Sequence, residues 1–161
     1  MPGVVLLVED DPGTQELVEI LLKSEGNGVE LAGTVAEARQ RLTEMTPDLV
    51  LMDIGLPDGD GISLTRWIKA NATTRSIVVV ALTGQVRLEQ RVAASDAGCA
   101  GFISKPIDPM RFVKQVEGFL AHRWSHIEDA REGGERWRSL VRGSFWQLLT
   151  SLNSWDSAQF R

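Results

Sequence analysis

The sequence predicts a doubly wound α/β fold, one five-stranded parallel sheet with helices on both faces, and three observations carry that prediction. Short apolar runs alternate with amphipathic stretches five times along residues 1–121, the alternation produced when helices return the chain between parallel strands. Two of the runs, Leu49-Val50-Leu51-Met52 and Ile77-Val78-Val79-Val80-Ala81-Leu82, carry no charge, as expected of central strands buried on both sides. Gly, Pro, Asp and Thr mark the borders between runs, and connections this short, crossing over with the right hand, leave few topologies.

Residues 4–8 are the first strand. Asp11-Pro12 then offers an N-cap acceptor followed by a proline at the first helical position, where its missing N–H is no loss. Gly26 stops that helix as a left-handed residue. Residues 29–32 form the second strand, and Thr34 with Glu37 makes a capping box ahead of the Ala38, Leu42, Met45 stripe. After the third strand at 49–52, the Gly-rich turn Pro57-Asp58-Gly59-Asp60-Gly61 leads into a helix over 62–70. The fourth strand, 77–82, precedes a helix over about 88–97 that Gly98 ends. A fifth strand at 101–103 leads to Asp108-Pro109, which opens the fifth helix by the same device as Asp11-Pro12.

A chain of 161 residues suits one domain with an appendage, here 1–121 followed by a helical tail or linker over 122–161. The composition, 43% hydrophobic and 24% charged, is that of a globular protein. Residues 1–121 hold 11 basic and 17 acidic side chains, a balance that phosphate backbones would repel, so direct nucleic-acid binding is not expected. Cys99 is the only cysteine, which rules out an intrachain disulfide and a multi-Cys zinc site and suits a reducing compartment. With no run long enough to span a membrane and no signal-like start, the expected location is cytoplasmic.

Open α/β sheets bind ligands beyond the carboxyl ends of their strands. There the sequence sets Glu9-Asp10-Asp11 after the first strand, Asp53 after the third, Thr83 after the fourth and Lys105 after the fifth. Carboxylates packed this closely repel, which raises their pKa values or calls for a cation. An open site of two or three carboxylates plus waters suits Mg²⁺ better than Ca²⁺. With a metal and Lys105 beside it, Asp53 becomes a nucleophile towards phosphorus, because both cations stabilise the equatorial oxygens of an in-line transfer. Thr83 can donate its hydroxyl to a phosphoryl oxygen, and Gly84 after it leaves the backbone room to approach.

Four segments, in this order and at these separations, are together highly specific: Val-Glu-Asp-Asp-Pro at 8–12, Asp-Leu-Val-Leu-Met-Asp-Ile-Gly-Leu-Pro-Asp-Gly-Asp-Gly at 48–61, Ala-Leu-Thr-Gly at 81–84 and Phe-Ile-Ser-Lys-Pro at 102–106. Over residues 4 to 121 the chain resembles a receiver domain of the two-component response regulators. The resemblance implies a flavodoxin-like sheet in the order 2-1-3-4-5 with five helices. It implies Asp53 as phosphoacceptor, Glu9 and Asp10 as the acidic metal pair, and Gly55 as a ligand of Mg²⁺ through its backbone carbonyl. Lys105 becomes the ion-pair partner of the phosphoryl group, Thr83 the switch hydroxyl and Phe102 the switch aromatic, with a cis bond before Pro106. The family often has Asp where Glu9 stands, so the run of three acids also admits Asp10 and Asp11 as the pair; Asp11 serves better as the cap before Pro12.

The partners implied are a histidine kinase or phosphotransfer protein as donor and a downstream protein as target, so the output is binding, not turnover. A Mg²⁺-dependent phosphatase with an aspartyl nucleophile wants a second acid two residues on, and Gly55 stands there. Glu9-Asp10-Asp11 would repel a nucleotide polyphosphate where a Gly-rich loop would be needed. His122 and His126 share a helical spacing but lack a third ligand, and Cys99 reads as a small buried hydrophobe. In the tail, Trp137, Val141, Phe145, Leu148, Leu152 and Trp155 recur at helical period. Such a stripe must be buried on its own domain, on a second copy as a homodimer, or on a different partner.

Overall fold

The computed structural model describes the backbone of residues 2–84 and 87–132 and the side chains of residues 2–84 and 87–123. The chain runs β1 (Val4–Val8), α1 (Pro12–Ser24), β2 (Gly28–Ala32), α2 (Val35–Glu44), β3 (Leu49–Asp53), β4 (Gly55–Leu56), β5 (Gly59–Asp60), α3 (Gly61–Ala70), β6 (Val78–Thr83), α4 (Leu88–Ala97), β7 (Gly101–Ser104) and α5 (Pro109–Glu132). Five strands form one parallel sheet in the order β2-β1-β3-β6-β7. This is the expected 2-1-3-4-5 order once the small antiparallel ribbon β4–β5 is set aside. Residues Met1–Ala121 make up one compact unit. The apolar stripe from Trp137 to Trp155 and the side chain of His126 lie outside the described residues.

The uncharged strands occupy the interior because they bury both faces. Pairing aligns Val5 with Val29 and Leu49, Leu49 with Val78, and Val80 with Gly101. One face of the sheet packs Leu6, Val8, Val50, Met52 and Val79 against Ala38 and Leu42 of α2 and Leu64 and Ile68 of α3. By the two-residue period of a strand, Val5, Leu7, Leu49 and Leu51 point to the other face; Val18 of α1 and Phe112 and Val116 of α5 are fully buried as well.

Helix starts follow the chemistry read from the sequence. Asp11 accepts from the Thr14 N–H at 2.8 Å, Thr34 from the Glu37 N–H at 3.1 Å, and Asp108 from the Met110 N–H at 2.9 Å. Gly26 and Gly98 take positive φ, 82° and 113°, the left-handed conformation expected of C-terminal stops. Several boundaries differ from expectation by one residue: β2 starts at Gly28, β6 at Val78, and β7 ends at Ser104. Pairing with neighbours carries β3 through Asp53 and β6 through Thr83, so both residues are held by the sheet rather than by loops. The third helix starts at Gly61 because Asp60 caps it, accepting from the Ser63 N–H at 2.9 Å and the Ser63 hydroxyl at 2.6 Å. The turn before it is folded as the β4–β5 ribbon, in which Pro57-Asp58 links two residues on either side. Among the described residues no helix is long and apolar enough to cross a membrane.

Candidate functional site

The strand ends deliver their polar residues to one place. Single carboxylate oxygens of Glu9, Asp10 and Asp53 all lie within 4.8 Å of one another. Glu9 is fully buried, Asp53 half-buried and Asp10 exposed, so the group forms a cleft with a closed floor and an open mouth.

Glu9 is fixed by every atom it can offer. Its N–H donates to the Ala32 carbonyl at 2.9 Å, its carbonyl accepts from Gln15 Nε2 at 2.5 Å, and Oε1 accepts from the Asp11 N–H at 3.0 Å. Oε2 forms an ion pair with Lys105 Nζ. Burial raises the Glu9 pKa above the ordinary carboxylate range and the nearby Asp53 charge adds to the rise; the Lys105 and Asp11 hydrogen bonds only partly offset it. The same ammonium donates to Asp53 Oδ2 at 3.3 Å. For Lys105 burial acts to lower the pKa, but the Glu9 hydrogen bond and the charges of Asp53 and Glu9 outweigh it and hold the ammonium above its usual value.

Asp53 itself is held at the end of β3, where its Oδ1 accepts from the Gly55 N–H at 3.1 Å. A Cβ on Gly61 would stand 2.2 Å from the Asp53 carbonyl oxygen, so only glycine lets α3 start this close to the nucleophile candidate. A Cβ on Gly55 or Gly84 would meet nothing within 4 Å, leaving the space over Asp53 open. That space continues into a cleft of about 670 Å³ lined by Asp53, Gly55, Asp60, Arg66, Thr83 and Gln90 among others.

Thr83 ends β6 with its carbonyl accepting from the Lys105 N–H at 2.7 Å, so the strand carrying the hydroxyl and the residue carrying the ammonium are tied directly. Phe102 is half-buried in β7, with the Arg91 guanidinium 5.0 Å from its ring centroid, a cation–π contact. The Lys105–Pro106 bond is cis, as the resemblance implies. Asp11 is turned towards its own helix; the hydroxyl and N–H of Thr14 hold its carboxyl below the usual range.

The family described as the response regulator receiver domain matches residues 5–117. The chain belongs to the response-regulator receiver family. Over 120 residues this receiver is 33% identical to the polar-differentiation response regulator DivK of Brucella anthropi, covering 74% of the chain and 98% of that protein. It is also 33% identical over 135 residues to the response regulator Rre1 of Synechocystis sp., covering 83% of the chain and 58% of that relative. The solved structure of a CheY-like receiver domain protein from Methanospirillum hungatei superposes with a TM-score of 0.72 at 28% identity, covering 78% of the chain and 99% of that structure.

Three contacts in and around the site have no local signature in the sequence. Gln15 supports Glu9 from α1, Arg91 faces Phe102 from α4, and Asp58 reaches across to α2. The Pro-Asp-Gly turn signal for the ribbon was present, but the distant partner of Asp58 has no local signature. Away from the site, Cys99 is half-buried with Sγ 3.9 Å from Thr65 Oγ1, and burial pushes its thiol pKa up, as suits a packed hydrophobe.

Proposed function

We propose that this receiver is a phosphorylation switch in which Asp53 accepts a phosphoryl group, in the presence of Mg²⁺, from phosphohistidine on a histidine kinase or phosphotransfer protein. The observation that carries the reading is the gathering of the Glu9, Asp10 and Asp53 carboxylates within 4.8 Å, with one ammonium donating to Asp53.

The donor set fits a hard divalent cation: all oxygen, acidic and open on one side, with three carboxylates gathered around one ammonium. Glu9, Asp10, Asp53 and the Gly55 carbonyl would hold Mg²⁺. When bound, the metal supplies charge neutralisation for the phosphoryl oxygens.

The chain's own groups do the rest. An Asp53 oxygen attacks phosphorus; the P–O bond forms as the P–N bond of phosphohistidine breaks, and the imidazole leaves with the bonding pair and takes a proton from solvent. Lys105 pairs with the transferred oxygens, and the Thr83 hydroxyl donates to one of them. Thr83 moving inward frees space for Phe102, altering the surface formed by α4 and β7 that a downstream protein reads. Gly55 places no acid or base two residues beyond Asp53, so the cycle serves binding rather than turnover of a substrate.

Incubation with acetyl phosphate and Mg²⁺, read by intact mass, tests this. Wild type should gain one phosphoryl group and Asp53→Ala none; equal modification of both, or of neither, rejects the reading.

A further inference from the structure

The ribbon β4–β5 is tied at both ends, and its far tie has no place in the chemistry described above. Asp58, at the tip, points back across the molecule to α2. Its Oδ1 accepts from the Val35 N–H at 2.7 Å and its Oδ2 from the Ala36 N–H at 3.1 Å. These are the first two N–H groups of α2, which have no partners within the helix. The third, that of Glu37, is taken by Thr34, so α2 already has its own local cap and Asp58 is an addition from 23 residues away. The Val35 N–H in particular holds the Asp58 carboxyl below the usual range.

Two further contacts press the same parts together. A Cβ on Gly59 would lie 3.2 Å from Val35 Cγ2, and Leu56 and Val35 both pack on the core that α2 helps to build. At its near end the ribbon begins with Gly55, whose N–H donates to Asp53 Oδ1, and closes into α3, where the Gly61 N–H donates to the Ile54 carbonyl at 2.9 Å. Four residues therefore separate the open backbone of Gly55 from Asp60; the ribbon pairing and Leu56 hold them together, and the grip of α2 on Asp58 anchors their tip.

We propose that Asp58 is a positioning residue for the phosphorylation site: by holding the ribbon tip on the start of α2 it sets where the Gly55 backbone stands relative to Asp53, and so sets the affinity for Mg²⁺. This rests on the reading of Gly55 and Asp53 as metal ligands. Outer residues that orient ligands act on metal affinity although they never touch the ion.

The experiment is calorimetric titration of the full chain with Mg²⁺, beside thermal unfolding in its absence, for wild type, Asp58→Ala, Asp58→Asn and Thr34→Ala. Thr34→Ala removes the local cap of α2 and leaves the ribbon tie alone, so it reports what weakening the helix does by itself. Asp58→Ala should weaken Mg²⁺ binding about tenfold, and Asp58→Asn, which keeps one acceptor oxygen, by less. Thr34→Ala should lower the unfolding midpoint with Mg²⁺ affinity unchanged. Equal Mg²⁺ affinity in wild type and Asp58→Ala, or an equal loss in Asp58→Ala and Thr34→Ala, overturns the positioning role while leaving the proposed function intact. A wild type that binds no Mg²⁺ overturns both. Should Asp58→Ala fail to fold, the Asp58→Asn titration decides on the same criterion.

Discussion

Carboxylates occur in two settings around the carboxyl edge of the sheet, and the two respond to the fold in opposite ways. At the helix starts, Asp11, Asp58 and Asp60 accept from N–H and hydroxyl donors and are held below the ordinary carboxylate range; for Asp60 burial opposes this, and the Ser63 hydroxyl and N–H prevail. In the cleft between those helices, Glu9 is buried against Asp53 and held above that range. One side-chain chemistry thus does structural work where the backbone meets its needs and is left wanting positive charge where it does not. In the cleft, Lys105 is the cation that faces both Glu9 and Asp53, beside single N–H donors from Asp11 and Gly55.

The contrast is broken most severely by Lys105→Met. Removing the ammonium leaves Glu9 and Asp53 facing each other and deprives the transferred phosphoryl group of its ion pair. The rate of modification by acetyl phosphate should fall about 100-fold, the usual loss when one charge-stabilising donor is deleted. A rate within a few-fold of wild type would show that Lys105 plays no part in transfer.

Removing one carboxylate from each setting should move stability in opposite directions. Asp60→Ala takes the cap from α3 and should destabilise the metal-free protein by about 1 kcal/mol. Asp53→Asn relieves repulsion on Glu9 and lets Lys105 serve it alone; it should stabilise the metal-free protein. Urea midpoints without Mg²⁺ check both, and a loss in each case would mean that Asp53 is a structural residue.

Acid sharpens the comparison further. The helix-cap carboxyls have folded pKa values below their unfolded ones, so their contribution is present above the ordinary range and lost as pH falls through the depressed values. Glu9 has the opposite sign: the folded state binds its proton more tightly, so this group favours folding as pH falls from its raised value towards the ordinary one. Lys105, raised above its ordinary 10.5, contributes stability present below that value and lost as pH rises through the raised one. Binding of Mg²⁺ should therefore weaken, as pH falls, at a higher pH than the caps begin to fail. Titrations of Mg²⁺ affinity and of unfolding that track each other across this window would remove the distinction.

The smallest effect concerns Arg91. Arg91→Ala removes the cation from the Phe102 face, a contact of about 0.5 kcal/mol where partly exposed. Quenching or ring-proton shifts of Phe102 should change while phosphorylation of Asp53 does not. An altered rate of phosphorylation would place Arg91 in the chemistry instead.

Much of this molecule was legible in its residues because the signals are local or periodic. Apolar runs at 49–52 and 77–82 read as buried strands, Asp11-Pro12 and Asp108-Pro109 as helix starts, and the order of the acidic, hydroxyl and lysine residues at the strand ends pointed to the cleft. The run of three acids admitted Glu9-Asp10 or Asp10-Asp11 as the acidic pair, and the use of Asp11 as a cap before Pro12 favoured Glu9-Asp10. The fold brings Glu9 and Asp10 to Asp53 and commits Asp11 to Thr14, a choice that depends on which side chains the end of β1 turns inward.

The sequence by itself determined the type and order of the elements and the chemistry they carry, since propensity, capping and burial act over a few residues. Only the tertiary structure decided that one ammonium would serve Glu9 and Asp53 together, that Arg91 would lie over Phe102, and that Asp58 would leave its own turn to hold α2. Those contacts join positions from 11 residues apart, Arg91 and Phe102, to 96 apart, Lys105 and Glu9, and a hydrogen bond or ion pair of that kind exists only once the sheet has set its strands side by side.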